Sequence, residues 1–275
     1  MKEWIAKIDQ TAEYLKGKTT VRPQLGIILG TGLGGLVKEI EVADTISYDQ
    51  IFNFPISTVE SHAGRLIFGK LSGKDVMVMQ GRFHYYEGYT MQQITFPVRV
   101  MKALGARAML VSNACGGVNP VYAAGDIMLM ADHINFMGDN PLLDRNEDTL
   151  GPRFPDMYNA YDRDLMALAE KVALEQRVKL QKGVYMAFSG PNLETAAEYR
   201  MARAMGADVV GMSSVPEVIV ARHAGLKVLG LSIITDMGLP DALEPASLEK
   251  ILKAAGKTEP AFVRLVAQIV KEMPF

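Results

Sequence analysis

The segment GRFHYYEGY brings Arg82, His84, Tyr86 and Glu87 together just after an apolar run. In extended chain Arg82 and His84 point to the same side, and a guanidinium beside an imidazole grips an oxyanion through charge-assisted hydrogen bonds. A surface loop with incidental charges is the plainer alternative. Downstream, SNACGGVNP offers Asn113, Gly116 and Gly117 as exposed backbone N–H groups at a strand end, or else as a simple turn. GMSSVPEVIVARHAG sets Ser213 and Ser214 between a strand and a helix begun by Pro216, where N–H groups and a hydroxyl suit phosphate and where ordinary capping is the alternative. FSGPNLETAAEYR opens a helix with Asn192, Leu193 and Glu194, with Asn192 read as its cap and Glu194 favoured by the positive helix end. LGIILGTGLGG spaces Gly30, Gly32 and Gly35 as GxGxxG, a pattern in which glycines let backbone approach a pyrophosphate.

Other chemistries find less support. Cys115 is the single cysteine, so a disulfide within the chain and a thiolate cluster are both excluded. As a nucleophile it competes with the reading of a small apolar core residue, and nothing nearby in sequence sets its pKa. His62, His84, His133 and His223 make no HxH or HxxxH pair, so neither a metal nor another cofactor is expected.

Elements must deliver these residues to one place. Short β-rich runs (LGIIL, RLIFGKL, VMVMQG, RAMLVSN, DIMLM, VYMAF, DVVGM and LKVLGLSIIT) alternate with helical periodicity over residues 91–104, 162–175, 194–205 and 247–269. The alternation predicts an α/β fold, a central mixed sheet flanked by helices, in a single domain of residues 1–275. Residues 140–158, rich in Pro, Asp, Asn and Gly, read as a long loop. In open α/β sheets, ligands bind beyond the carboxyl ends of strands, where the polar segments above fall.

Bulk properties narrow the partner. Lys and Arg number 29 against 31 Asp and Glu, a net charge of −2, and no basic run is interleaved with aromatics, so nucleic acid is not an expected ligand. The first residues place Trp4, Ile8, Ala12 and Leu15 at helical spacing among charges, unlike a secretory leader, and no run suits a bilayer span. A cytoplasmic location and a small-molecule substrate are the expectation.

Taken in order, GTGLG, SHAGRLIFG, QGRFHYYEGY, FPVRV, SNACGGVNP, GDIMLMADHINF, NPL, GPRFPDMY, GPNLETAAEYR and GMSSVPEVIVARHAGL resemble the trimeric purine nucleoside phosphorylases, from about Leu25 to the C-terminal helix. The resemblance implies phosphate-dependent cleavage of purine nucleosides and replaces the dinucleotide reading of GTGLG with a phosphate-binding turn. Phosphate would be held by Thr31, Arg82, His84, the backbone of Ala114 and Ser213, with His62 on a nearby mobile loop. Ribose would meet Tyr86, Tyr185 and Met212, with Phe154 contributed by a neighbouring subunit of a homotrimer. The base would meet Leu193, Glu194, Thr235 and Asp236, with His84, Glu194 and Asp236 as the catalytic set.

Two positions depart from that pattern. SIITDMG places Asp236 where phosphorylases of 6-oxopurines usually carry Asn, and PASLEKIL places Leu248 where a histidine contacts the ribose 5′-hydroxyl. Both resemble methylthioadenosine phosphorylases of the same superfamily, since an ionised Asp accepts from a 6-amino group and an apolar side chain suits a 5′-methylthio group. Glu194 argues the other way, because its carboxylate suits N1–H of hypoxanthine or guanine. Methylthioadenosine phosphorylase is therefore the nearest alternative. An NAD-binding oxidoreductase and a non-catalytic nucleoside-binding protein are the alternatives from other classes.

Overall fold

A computed structural model describes residues 2–58 and 63–275. The sequence folds into helices α1 (Lys2–Lys16), α2 (Met91–Ala103), α3 (Arg163–Glu175), α4 (Ala196–Ala204), α5 (Val215–His223) and α6 (Leu248–Glu272). Its strands are β1 (Leu25–Leu29), β2 (Ile40–Ser47), β3 (Arg65–Leu71), β4 (Lys74–Gln80), β5 (Ala108–Gly117), β6 (Ile127–Asn135), β7 (Leu180–Ala187), β8 (Val209–Gly211) and β9 (Lys227–Met237). They form one mixed sheet in the order β2-β3-β4-β1-β5-β8-β7-β6-β9, and β9 returns to pair with β5. Half of the sheet therefore closes into a ring of β5, β8, β7, β6 and β9, while β2, β3, β4 and β1 extend from it as an open wing.

Burial on both faces explains the strand sequences. Every residue of β1 is buried, with Ile28 in the core shared with α2 and α5, and Leu25, Ile27 and Leu29 in the core shared with α3 and α6. Such two-sided burial requires a continuous apolar run. On α1 the spacing of Trp4, Ile8, Ala12 and Leu15 meets α2, with Trp4 edge-on to Phe96 at 5.1 Å between ring centroids.

Several local expectations are corrected. No α-helix follows GTGLGG: residues 34–39 form a short 3-10 turn, and IEVADTIS becomes β2, antiparallel to β3. The glycines serve packing instead. A methyl group at Gly30 would lie 2.7 Å from Asn113 Cα, one at Gly32 2.7 Å from Ala255 Cβ, and one at Gly35 2.7 Å from the Glu259 carboxyl carbon. Gly35 N–H donates to Glu259 Oε1 at 2.7 Å. A carboxylate of α6 thus occupies the anion position that a pyrophosphate would need, which removes the dinucleotide reading.

SNACGG is not a turn but the second half of β5. The β5–β9 register shifts between Cys115 and Gly116, which pair with Ile234 and Asp236, so Thr235 is the extra residue of a bulge. The helix after GPNLE starts at Ala196, capped by Thr195 in a reciprocal capping box with Glu198, rather than by Asn192. Asn192 Nδ2 donates instead to the Leu193 carbonyl at 3.2 Å. Residues 140–158 contain no helix or strand, as their composition predicts.

Candidate active site

A cavity of about 200 Å³ opens where the ends of β1, β5, β8 and β9 meet the start of α6. At one end Arg82 and His84 follow β4, Thr31 follows β1, and Ser213 precedes α5. Arg82 is buried, and its position is fixed from three sides. Its Nη1 donates to Ser214 Oγ at 2.9 Å and to Glu217 Oε1 at 3.2 Å, and its Nη2 donates to the Ser112 carbonyl. Ser214 Oγ also accepts from Asn113 Nδ2 at 2.8 Å. That hydroxyl is placed by a backbone φ of +68°, a left-handed conformation costly for serine, at the N-cap of α5. The N-terminus of α5 beside Ser213 adds a positive dipole end to this side of the cavity.

His84 is oriented by Glu87. Its Nδ1 lies 2.9 Å from Glu87 Oε1, and its ring stacks on Tyr86 at 4.6 Å between centroids. Burial pushes the Glu87 carboxyl up, but hydrogen bonds from His84 and from Thr58 outweigh it and hold the carboxyl at about 2. Ionised Glu87 therefore accepts a proton-bearing Nδ1. Burial keeps the imidazole below its ordinary pKa against the raising effect of Glu87, which favours the neutral ring with its lone pair on Nε2.

The opposite end is acidic. Glu194 comes from the loop before α4 and Asp236 from the bulged end of β9. Thr235 Oγ1 donates to Asp236 Oδ1 at 2.8 Å and lies 3.2 Å from the Cys115 carbonyl. Burial raises the pKa of both carboxyls, and the charge of Asp236 adds to the rise at Glu194. Among the described residues Glu194 Oε1 is buried without a hydrogen-bond partner, while Tyr199 hydrogen-bonds to the same carboxyl group. Arg82 and His84 at one end and the carboxyl groups of Glu194 and Asp236 at the other thus line one cavity together with Tyr86, Met212 and Leu248.

The fold brings most of the expected residues together: Thr31, Arg82, His84, Tyr86, Ala114, Leu193, Glu194, Met212, Ser213, Thr235, Asp236 and Leu248 all line the cavity. Tyr185 does not reach its surface. It is fully buried behind Gly211, where it accepts from Ser213 N–H at 3.4 Å and so supports the cavity wall. Phe154 lies on the 140–158 loop, 88% exposed and away from this cavity. His62 falls outside the described residues. Cys115 lines the cavity, yet burial raises its thiol pKa, which argues against a nucleophilic thiolate. Sequence reasoning missed Tyr199, Val210 and Ile251 as lining residues. Their signals were those of ordinary helix and strand packing.

Residues 24–271 match the model of the phosphorylase superfamily. Purine nucleoside phosphorylase 1 of Bacillus subtilis is 52% identical over 266 residues, covering 97% of this chain and 98% of that protein. Among solved structures, the purine nucleoside phosphorylase of Schistosoma mansoni in complex with adenosine superposes with a TM-score of 0.94 at 40% identity, covering 98% of each chain. The same enzyme in complex with inosine gives the same TM-score, identity and coverage. With a cavity that pairs a cationic end with an acidic end, and with relatives matched along nearly its whole length, the chain belongs to the purine nucleoside phosphorylases of the phosphorylase superfamily.

Proposed function

We propose that the cavity binds inorganic phosphate at its basic end and a purine at its acidic end, and transfers the ribosyl group from one to the other. Phosphate is the co-substrate. The observation that carries this reading is the charge division of one cavity between Arg82 with His84 and Glu194 with Asp236. Thr31, Arg82, His84, Ser213 and the Ala114 backbone hold the anion below C1′. Tyr86, Met212 and Leu248 surround the sugar, and Leu193, Glu194, Thr235 and Asp236 take the base. A phosphate oxygen forms the bond to C1′ as the C1′–N9 pair leaves with the purine, which takes up one proton to become the neutral base. No covalent enzyme intermediate is required, so positioning and electrostatics supply the acceleration. Phosphate balances the positive charge that develops on the ribosyl group, and a hydrogen bond from Asp236 at N7 relieves the negative charge on the purine.

The assembly and location belong to the same proposal. The exposed Phe154 is read as completing the ribose pocket of a neighbour in a homotrimer, and the single domain works in the cytoplasm. Among the described residues no helix is long and apolar enough to cross a membrane. Leu248 on the cavity wall supports methylthioadenosine phosphorylase as a second reading. A panel of inosine, guanosine, adenosine and methylthioadenosine, with and without phosphate, tests both. Base release that requires phosphate supports phosphorolysis. Binding without release in the presence of phosphate overturns it in favour of a non-catalytic nucleoside-binding protein.

A further inference from the structure

Phe154 sits in a segment without helix or strand, so its direction is set by contacts between that segment and the helices beneath it. Three consecutive residues make those contacts. Arg99 of α2 donates from Nη1 to the Leu150 carbonyl at 3.0 Å, and Asn146 Nδ2 donates to the Gly151 carbonyl at 3.2 Å. The backbone of Pro152, which has no N–H to offer, meets the imidazole of His223 at the end of α5. Gly151 fits so closely there that a methyl group would collide with the His223 carbonyl oxygen and lie 2.7 Å from His223 Nδ1. Its φ of +146° also favours glycine. Just beyond, Arg153 Nη1 donates to the Asp144 carbonyl at 2.6 Å, and its guanidinium lies 5.7 Å from the Phe154 ring centroid. The chain is thus held as far as the residue before Phe154, while the ring itself stays exposed.

A neutral donor would satisfy one carbonyl equally well. Arg99 is instead a buried cation: burial brings its guanidinium down to about 10, and among the described residues no carboxylate pairs with it. Glu147 lines the same small cavity, yet its Oε1 accepts from Thr149 Oγ1 at 3.3 Å. Burying a charge without a counter-ion opposes folding. Stability therefore does not account for Arg99, and its printed contact is with the loop that carries Phe154.

We propose that Arg99 is a positioning residue: through the Leu150 carbonyl it sets the loop that delivers Phe154 to the ribose pocket of a neighbouring subunit, and so governs a site that its own subunit does not contain. This rests on the shared-pocket reading above and deepens it by naming what holds the shared ring in place. Asn146 and the close seat of Gly151 on His223 complete the clamp.

The test is the coupling between Arg99 and Phe154. Arg99→Met keeps much of the side chain's length and removes its donors. It should lower kcat/KM for inosine roughly three- to tenfold, and no further than Phe154→Ala does, with KM for phosphate unchanged. Added to Phe154→Ala, it should reduce kcat/KM by less than about twofold more, because the ring it positions is already gone. Arg99→Lys, which retains a donor for Leu150, should recover most of the loss. Asn146→Ala, which leaves both helices intact, should show the same coupling. Equal factors with and without the Phe154 ring, as partial unfolding would give, or full activity in Arg99→Met would overturn the proposal. Mixed trimers separate it from the reading beneath it. Co-expressed with His84→Ala, both Arg99→Met and Phe154→Ala should regain activity above that of the parents, since one subunit supplies an intact cavity and the other an intact loop. Recovery with only one of the two overturns the route from Arg99 through Phe154; recovery with neither overturns the shared pocket as well.

Discussion

Replacing Arg82 with alanine perturbs two things at once, and the structure allows them to be separated. Arg82 is 1% exposed and paired with the buried Glu217, whose Oε2 lacks a partner among the described residues. Removing the guanidinium leaves a buried carboxylate without its cation, a loss of about 3–5 kcal/mol or roughly 6–20 °C in melting temperature for a chain of this size. Independently, phosphate loses a charge-assisted partner worth about 1.5–3 kcal/mol, which is roughly a 10- to 150-fold fall in kcat/KM for phosphate. The double variant Arg82→Ala/Glu217→Gln removes the stranded charge together with its partner. It should regain most of the lost melting temperature and none of the lost phosphate use. Calorimetric melting and phosphate kinetics at fixed nucleoside read the two effects. Unchanged phosphate kinetics in the single variant, or phosphate use restored in the double one, would refute the assignment of Arg82 to the nucleophile.

The Glu87 carboxyl, held at about 2 against an ordinary 4.5, stabilises the fold fully above the unfolded value, and that stabilisation drains away as pH falls toward 2. Glu87→Gln should therefore cost melting temperature at about pH 7 and much less at about pH 3; a constant difference would contradict the sign worked out here. Leu248→His should lower the preference for methylthioadenosine over adenosine roughly tenfold, because a polar ring replaces an apolar wall, and an unaltered ratio would place Leu248 away from the 5′ position. Sedimentation at assay concentration should give a trimer, with Phe154→Ala lowering kcat/KM for nucleoside about tenfold at unchanged melting temperature. A fully active monomer would exclude the shared pocket.

How far the sequence could be read depended on the range of the interaction. The apolar runs of β1, β5 and β9 are visible because burial on both faces leaves little choice of residue. β2 escaped notice because IEVADTIS lies at the sheet edge, with most of its side chains outside the core. The Thr195 cap was legible, since Thr195 and Glu198 stand at capping-box spacing. Gly30, Gly32 and Gly35 announced a close approach without saying of what: the answer for Gly35, Glu259, lies on the last helix. Arg82 shows the same limit. Its charge and its place after a strand were readable, but Glu217 and Ser214 become its partners only when α5 packs against α2 and β9. Thr235 and Asp236 are adjacent in a strand, where alternation would send them to opposite faces, yet the bulge beside Cys115 turns both into the cavity. Local pattern thus located the chemistry, while contacts between distant segments decided which side chains could reach it and in what state of protonation.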